Sequence, residues 1–249
     1  MSSLLLTGGT GTLGRAIVAA ADPGDVRILS RQARRASGQD WARADLLTAD
    51  GLDAALHGVQ TIVHCATTPR GGDARMTRML VDSARRSATP PHLVYISIVG
   101  VDRIPLRYYR EKVWTERVVQ SSGLPWTILR ATQFHQLVFS LFRAQRRMPV
   151  AFSPRIRLQP IAVDDVAGEL LRLAAGPAVE HAPDIGGPQI LTATEIARST
   201  FAAIGVRRPI ASFRLPGATF AALRAGDNLV PGNRFGTETF ADFLAARHR

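Results

Sequence analysis

Short runs of apolar residues alternate along the first half of the chain with segments in which apolar residues recur at helical spacing. The runs predict strands at residues 4–6, 26–29, 41–45, 61–65, 92–97 and 126–130. The segments between them predict helices at residues 13–21, 49–57, 73–87 and 107–121. Near-continuous apolar strands are typical of a parallel sheet that helices cover on both faces. Repeated crossovers of this kind predict the α/β fold class, with a doubly wound parallel sheet.

The pattern weakens after about residue 133. It predicts a helix at 164–174, a possible strand at 183–185, and a last helix that ends near residue 204. Thr192 and Glu195, at capping-box spacing, mark the start of that last helix. Because no Gly/Ser-rich linker separates the two halves, we expect a single domain over residues 1–249. Its core would span 1–132, and residues 133–249 would add mixed core and a small C-terminal substrate-binding extension.

A glycine-rich turn follows the first predicted strand and opens the first predicted helix. Residues 7–15 read TGGTGTLGR. Glycines at these spacings allow a tight turn and a close approach of the backbone to a pyrophosphate, which the helix N-terminus attracts. In this strand–turn–helix context the motif predicts a Rossmann-type dinucleotide site. The predicted cofactor-binding residues of the turn are Thr7, Gly8, Thr10, Gly11, Thr12, Leu13 and Gly14.

The end of the second predicted strand favours NADP(H) over NAD(H). Proteins that bind NAD(H) place an acidic residue there to bind the ribose 2′-hydroxyl. This chain instead has Ser30 and Arg31, followed by Arg34 and Arg35. A guanidinium can pair with a 2′-phosphate, so Arg31 is the predicted 2′-phosphate ligand, while Arg34 and Arg35 can equally be solvated. Asp45 either binds the adenine amino group or caps the turn that follows it.

A Tyr-x-x-x-Lys pattern supplies the candidate chemistry. Tyr108 and Lys112 share one face of the helix predicted at 107–121, because residues four apart are neighbours. The ammonium group would favour phenolate and lower the pKa of Tyr108. Lys112 is the only lysine in the chain, and Ser97 ends the fifth strand, where sites of α/β sheets assemble. These three are the predicted catalytic residues; alternatively, Lys112 faces solvent, and Tyr108 or the adjacent Tyr109 packs in the core.

Several segments resemble the atypical short-chain dehydrogenase/reductase family, specifically its NmrA-like, NAD(P)H-binding branch. The resemblance covers nearly the whole chain and rests on TGGTG-x-LG at 7–14, VYIS at 94–97, SGLPWTILR at 122–130, DVA at 165–167, GP at 187–188 and LT at 191–192. It implies a Rossmann core, and cofactor contacts at Ala66, Thr67 and Lys112 besides the turn and Arg31. It also implies that a loop after the sixth strand borders nicotinamide and substrate, with substrate contacts at Gln133, Phe134 and His135. His135 can equally line a helix.

Composition bears on partners and location. The net charge is +11, but the basic residues are scattered and no nucleic-acid-binding motif accompanies them. We therefore expect no nucleic-acid partner, and an anionic ligand accounts for part of the charge. Cys65 is the only cysteine, which fits a reducing compartment. No apolar stretch approaches the roughly 20 residues of a membrane span. We expect a cytoplasmic monomer or homodimer with no membrane or metal partner, in which His64 and Cys65 belong to the core.

The leading hypothesis is an NADPH-dependent reductase that transfers a hydride to a carbonyl, quinone or activated double bond of a small molecule. Tyr108 would donate the proton, Lys112 would tune it and hold the nicotinamide ribose, and Ser97 would orient the acceptor oxygen. The NmrA-like branch also implies an alternative, a redox-sensing regulator that binds NADP(H) without catalysis. A further alternative is an isomerase or dehydratase that retains its cofactor.

Overall fold

A computed structural model describes residues 3–22, 24–32, 39–68 and 71–247 of the chain. Arg34 and Arg35 lie outside these residues. Their strands are β1 (Leu4–Thr7), β2 (Val26–Ser30), β3 (Asp40–Arg43), β4 (Thr61–His64), β5 (His92–Ile98), β6 (Trp126–Ala131), β7 (Ala151–Pro154), β8 (Arg157–Leu158), β9 (Glu180–His181), β10 (Leu191–Thr192) and β11 (Ile210–Phe213). Their helices are α1 (Thr12–Ala20), α2 (Leu52–Ala55), α3 (Asp73–Arg85), α4 (Arg107–Gln120), α5 (His135–Arg143), α6 (Val163–Ala175), α7 (Ala193–Ala203), α8 (Ala218–Ala225) and α9 (Phe240–Ala246). None of these helices is long and apolar enough to cross a membrane.

The described residues form two compact units. The described residues of the first unit lie within Met1–Ser97, Arg107–Arg130 and Val166–Pro183. Those of the second unit lie within Ile98–Leu106, Ala131–Asp165 and Asp184–Arg249. The units alternate along the chain, so no single cut in the sequence separates them. The expected single domain, with a division at residues 132 and 133, stays a prediction.

A parallel sheet forms the centre of the first unit. Its strand order is β3-β2-β1-β4-β5-β6-β9. In register, Leu4 of β1 pairs in parallel with Val26 of β2 on one side and with Thr61 of β4 on the other. This order, in which the chain proceeds outward from β1 in both directions, confirms the predicted doubly wound α/β fold.

Apolar residues on both faces of the sheet explain why helices cover it. Leu5 and Leu93 are fully buried in one cluster with Leu52 of α2, Leu80 of α3 and Val119 of α4. Their neighbours Leu6 and Val94 are also fully buried and point to the opposite face, because successive strand side chains alternate. Removing each such side chain from water contributes about 1.5–3 kcal/mol, so a polar residue on either face would be strongly destabilising.

Phenylalanine rings dominate the core of the second unit. Phe139 and Phe142 of α5 pack in one cluster with Phe201 of α7 and with Phe240 and Phe243 of α9. The strands of this unit are short and form two-stranded pairs, β10 with β8 antiparallel and β11 with β7 parallel. The helices therefore supply most of the buried apolar surface.

Three predicted elements differ from the structure. The third strand ends at Arg43 and not at Asp45. The helix expected at 49–57 contains only α2, because Ala49 (φ 67°) and Gly51 (φ 78°) adopt left-handed backbone and close a turn before it. The strand expected at 183–185 is wrong: β9 lies at Glu180–His181, and Ile185 forms only an isolated bridge to Ala131.

Other predicted elements match closely. The structure confirms the capping box that starts α7, in which the Thr192 side chain accepts a hydrogen bond from the Glu195 N–H and the Glu195 side chain accepts one from the Thr192 N–H. It also reveals elements that the weak pattern after residue 133 did not predict, namely α5, α8, α9, β7, β8, β10 and β11.

Candidate functional site

A cavity of about 870 Å³ opens at the carboxyl ends of β1, β2, β3 and β4 in the first unit. Ligands of open parallel sheets bind at this edge, and the volume falls within the range of cofactor sites. The predicted cofactor residues that line the cavity are Gly8, Thr10, Gly11, Arg31, Asp45, Ala66 and Thr67.

The glycine turn is packed so closely that a side chain at Gly8 or Gly14 would collide with backbone atoms. Gly8 has φ +74°, and a Cβ built on it would lie 2.8 Å from the Ala66 nitrogen. A Cβ on Gly14 would lie 2.2 Å from the Gly8 carbonyl oxygen. At Gly11, the N-cap of α1, no side chain caps the first turn. Because the first N–H groups of a helix have no acceptor within it, they can bind an anion at this end of the cavity.

Arg31 and Asp45 lie at the strand ends beside the turn. Arg31 follows β2, is exposed and lines the cavity, so its guanidinium can meet a phosphate there. Asp45 accepts a hydrogen bond from the Leu47 N–H at 2.8 Å, which is the turn-capping geometry. Asp45 also lines the cavity, so its predicted contact with adenine stays a prediction. These groups fit a dinucleotide with a 2′-phosphate.

Thr7, another predicted residue of the turn, lies behind the cavity surface. Thr7 is fully buried, and its Oγ1 accepts a hydrogen bond from the Ala66 N–H at 3.2 Å. The same oxygen lies 2.6 Å from His64 Nδ1, and His64 Nε2 lies 2.8 Å from Thr77 Oγ1. Burial, together with the Lys112 ammonium, lowers the pKa of His64 to about 3. A neutral imidazole thus ties β1 to β4 and α3, and the expected core position of His64 is confirmed.

A hydrogen-bonded network joins the cavity to the Tyr-x-x-x-Lys pair. The Tyr108 hydroxyl lies 3.2 Å from Thr67 Oγ1. Thr67 in turn donates to Asp73 Oδ2 at 2.6 Å, and Lys112 Nζ lies 3.5 Å from the same oxygen. Lys112 Nζ is also 5.9 Å from the centre of the Tyr108 ring. The network brings Tyr108 and Lys112 together, as the four-residue spacing predicts.

Lys112 is buried and paired. Its side chain is 5% exposed and that of Asp73 2% exposed, so the alternative in which Lys112 faces solvent is wrong. Burial disfavours the charged ammonium, but the Tyr95 and Tyr108 phenol groups and the Asp73 carboxylate outweigh burial and raise the pKa of Lys112. The ammonium therefore keeps its proton beside Tyr108 over the physiological range.

The two adjacent tyrosines have different environments. Tyr108 is 40% exposed and Tyr109 is 9% exposed. Burial raises the pKa of Tyr109 to about 12, and no described contact joins its hydroxyl to the Thr67 network. Ser97 is buried at the end of β5, and its Oγ has no hydrogen-bond partner among the described residues. A buried hydroxyl without a partner calls for a ligand or water.

Asp73 and Cys65 are the main departures from the sequence prediction of the site. Asp73 was expected only to start a helix, yet it accepts hydrogen bonds from Thr67 Oγ1 and the Thr68 N–H and pairs with Lys112. A buried lysine needs a carboxylate nearby, but the burial of Lys112 is visible only in the structure. No residue spacing in the sequence identifies Asp73 as its partner. Cys65 was expected in the core; it is half-buried and lines the cavity. Burial raises the pKa of its thiol to about 12, although the Lys112 ammonium acts in the opposite direction.

Several predicted residues do not line this cavity. Thr7, Thr12, Leu13, Gly14 and Lys112 belong to the first unit but are not among the lining residues. The predicted substrate residues Gln133, Phe134 and His135 belong to the second unit. The His135 ring is 1% exposed there, lies 3.1 Å from the Glu238 carbonyl oxygen through Nε2, and packs on Phe243 with ring centres 5.3 Å apart. Their contact with substrate stays a prediction.

Known proteins resemble the chain in both sequence and fold. The (4-alkanoyl-5-oxo-2,5-dihydrofuran-3-yl)methyl phosphate reductase of Streptomyces griseus is 29% identical over 202 residues, which cover 77% of this chain and 70% of that protein. The NAD(P)H azoreductase of Xenophilus azovorans is 28% identical over 218 residues, which cover 83% of this chain and 75% of that protein.

In three dimensions, the chain is similar to the NADPH-dependent quinone oxidoreductase of Escherichia coli in complex with NADPH. The TM-score is 0.83 at 18% identity, over 99% of this chain and 100% of that one. At this identity the likeness shows a shared fold. A family model described as NAD(P)H-binding matches residues 8–173, well over half of the sequence. The chain belongs to this NAD(P)H-binding family.

Proposed function

We propose that the protein is an NADPH-dependent reductase of the NmrA-like branch of the atypical short-chain dehydrogenases/reductases. The observation that carries the proposal is the link between the cofactor cavity and a proton donor. Thr67 lines the cavity, and its Oγ1 lies 3.2 Å from the Tyr108 hydroxyl. A phenol held next to a dinucleotide cavity, with a lysine beside it, can protonate an acceptor oxygen or carbon.

The turn and the neighbouring strand ends would hold the cofactor. The N–H groups at the start of α1 would bind the pyrophosphate, and Arg31 would bind the 2′-phosphate. NADPH, when bound, supplies the hydride. Asp45 would contribute at the adenine end, and Ala66 and Thr67 would contact the cofactor from the end of β4. Lys112 reaches the cavity lining through Asp73 and Thr67 in the structure, and its direct contact with ribose remains part of the proposal.

The reduction consumes one hydride and one proton, and this chain would supply the proton. Tyr108 would give its hydroxyl proton to the substrate and recover one from solvent, since its side chain is 40% exposed. The Lys112 ammonium would stabilise the phenolate that forms. Ser97, whose buried Oγ has no partner among the described residues, would donate a hydrogen bond to the acceptor.

The names of similar proteins support a small unsaturated substrate. One is a reductase of a dihydrofuranyl methyl phosphate and one is an azoreductase. We therefore propose a carbonyl, quinone or other activated double bond as the acceptor, with Gln133, Phe134 and His135 on the substrate side. We further propose a cytoplasmic location, because a single cysteine fits a reducing compartment. The expected monomer or homodimer stays a prediction.

The test is NADPH oxidation with a panel of carbonyl, quinone and azo compounds. We expect turnover by the natural protein and a loss of kcat of about 100-fold or more in Tyr108→Phe, because a general acid contributes that much. NADPH affinity should not change in this variant. Tyr109→Phe is the matched control and should keep its turnover.

Two results would contradict the proposal. One is NADPH binding without turnover of any compound in the panel, which would favour a redox sensor. The other is full turnover in Tyr108→Phe. Turnover of a substrate without net NADPH oxidation would indicate an isomerase or dehydratase instead.

A further inference from the structure

A second cavity, of about 290 Å³, lies within the second unit. Its lining includes three arginines, Arg155 and Arg157 around the start of β8 and Arg224 in the last turn of α8. Three hydroxyl-bearing residues, Thr192, Thr194 and Ser212, also line it, and no aspartate or glutamate does among the described residues. The Thr192 hydroxyl donates to Glu195 and the Thr194 hydroxyl is hydrogen-bonded to Ser153. The cavity therefore concentrates positive charge, and its guanidinium groups are the main donors.

The chain holds these arginines in place. Arg155 lies in a bend, where the Ile156 N–H donates to the Pro154 carbonyl oxygen at 2.9 Å, and Arg157 begins β8. The Arg157 carbonyl oxygen accepts a hydrogen bond from Asn228 Nδ2 at 2.9 Å. Arg224 Nη1 donates to the Leu215 carbonyl oxygen at 2.7 Å. The Arg157 guanidinium reaches the end of α8, with Nη2 3.6 Å from the Cβ position of Gly226. Two exposed arginines and one half-buried arginine, from two separate segments, therefore line one cavity.

Nearby carboxylates are already committed elsewhere. Glu195 accepts hydrogen bonds from the Thr192 N–H at 2.7 Å and the Thr192 hydroxyl at 2.8 Å. Asp227 Oδ1 accepts from Arg103 Nη1 at 3.4 Å. Within the described part of the chain, none of the three cavity arginines forms an ion pair. Like charges that line one cavity repel one another, and solvent screens this repulsion at the exposed Arg155 and Arg157, so an anion bound between them would be favoured.

The donor set favours a phosphate group over a carboxylate. A carboxylate offers two oxygens and is satisfied by one bidentate guanidinium, whereas a phosphate monoester offers three terminal oxygens and about two negative charges. The cavity has the volume of about ten water molecules, which leaves space for an organic group beside the phosphate. We infer that this cavity binds the phosphate monoester group of a small molecule. The inference goes beyond the proposed function and does not depend on reductase activity, because no residue of the cofactor cavity takes part.

The experiment is a calorimetric titration of the protein with phenyl phosphate, both alone and with saturating NADPH so that the phosphates of the cofactor do not compete. Inorganic phosphate and benzoate are titrated in parallel. We expect saturable binding of phenyl phosphate in both conditions, with weaker binding of inorganic phosphate and the weakest of benzoate. Absence of saturable phenyl phosphate binding, or equal binding of benzoate or inorganic phosphate, would overturn the inference.

Variants then locate the binding. Arg157→Gln and Arg224→Gln should each weaken phenyl phosphate binding about tenfold or more, since each removes hydrogen bonds to a charged group. Arg157→Lys keeps the charge without the guanidinium fork and should give an intermediate loss. Arg207→Gln, at an exposed arginine of the same unit outside the cavity, is the matched control. Equal affinity in the natural protein and both Gln variants would overturn the assignment, and unchanged NADPH affinity in all variants separates this result from the reductase proposal.

Discussion

Both units offer hydrogen-bond donors to an anion. The donors are backbone N–H groups in the cavity of the first unit and arginine side chains in the cavity of the second. In the first unit the backbone forms the site, because the turn at Gly8 to Gly14 presents N–H groups and a Cβ on Gly14 would lie 2.2 Å from the Gly8 carbonyl oxygen. In the second unit side chains form the cavity, through Arg155, Arg157 and Arg224. A backbone site tolerates almost no substitution at its glycines, whereas a side-chain site loses affinity one group at a time.

The proposed catalytic network of the first unit, from Thr67 through Asp73 to Lys112 and Tyr108, is the exception, since side chains build it. The substitution Lys112→Met should sharpen this contrast most. The substitution leaves Asp73, with its side chain 2% exposed, without its ammonium partner. We expect the free energy of unfolding to fall by about 3–5 kcal/mol and turnover to be lost. Denaturant unfolding and an NADPH oxidation assay measure the two effects.

Helix α4, which carries Lys112, also carries the residue for the control variant. Glu116 of α4 forms a second buried pair, with its oxygen 2.7 Å from Arg130 Nη2. Glu116→Gln should also destabilise the protein but should keep kcat for the folded fraction. Adding Asp73→Asn to Lys112→Met should recover stability without turnover; recovery of both would show that the pair has only a structural role.

Gly14→Ala tests the backbone site itself. Its Cβ would have to displace the Gly8 carbonyl, and overpacking of this kind costs up to about 3 kcal/mol, so NADPH affinity should fall about 100-fold. Gly168→Ala is the matched control, because Gly168 lies in α6 with nothing within 4 Å of its Cβ position. Fluorescence titration with NADPH compares them. Equal NADPH affinity in Gly14→Ala and Gly168→Ala would contradict the view that the backbone of the glycine turn forms the site in the first unit.

The pH dependence of stability tests the buried His64, whose ring lies within hydrogen-bond distance of Thr7 in the glycine turn and of Thr77 in α3. His64 has a pKa of about 3 in the folded protein against 6.5 as its ordinary value. The unfolded chain therefore binds a proton that the folded chain excludes, so stability is full above pH 6.5 and falls as the pH decreases towards 3. We expect His64 to account for a loss of about 2 kcal/mol between neutral pH and about pH 5.

Unfolding curves at a series of pH values measure this loss. His64→Gln should flatten the curve in that window, whatever its effect on absolute stability. His57→Gln, at an exposed histidine of the same unit, should leave the slope unchanged. A His64→Gln slope that matches the natural protein would show that another group carries the proton.

The smallest effect is expected at the capping box of α9 in the second unit. Thr239 Oγ1 accepts a hydrogen bond from the Asp242 N–H at 3.2 Å. Thr239→Ala should lower the free energy of unfolding by about 1 kcal/mol, and Thr239→Ser, which keeps the hydroxyl, should restore most of it. NADPH affinity should not change in either variant. A loss of NADPH affinity would mean that the cofactor site depends on the second unit.

These differences also explain what the sequence could predict. The turn was predictable because its constraint is local: glycines at fixed spacing between a strand and a helix. The Tyr108–Lys112 pair was predictable for the same reason, since one helix places both residues. Asp73 was not, because it lies 39 residues from Lys112 and only the sheet brings them to 3.5 Å.

The second unit was harder to predict because its constraints are not local. Strands β8 and β10 have two residues each and pair antiparallel, and two residues show no alternation of polar and apolar positions. Phe139 and Phe142 pack in the core with α9, which lies about a hundred residues further along the chain. No sequence motif links the three cavity arginines either, so only the folded chain reveals that they line one cavity.

We propose that the N-terminus of α1 and the Arg31 guanidinium together hold a phosphorylated dinucleotide, and Arg31→Ala tests this most directly. NADPH and NADH affinities are measured for the natural protein and for the variant. We predict that the natural protein prefers NADPH, and that the variant loses at least about tenfold in NADPH affinity while its NADH affinity stays the same. An unchanged preference for NADPH in Arg31→Ala, or an equal loss for both nucleotides, would contradict the account.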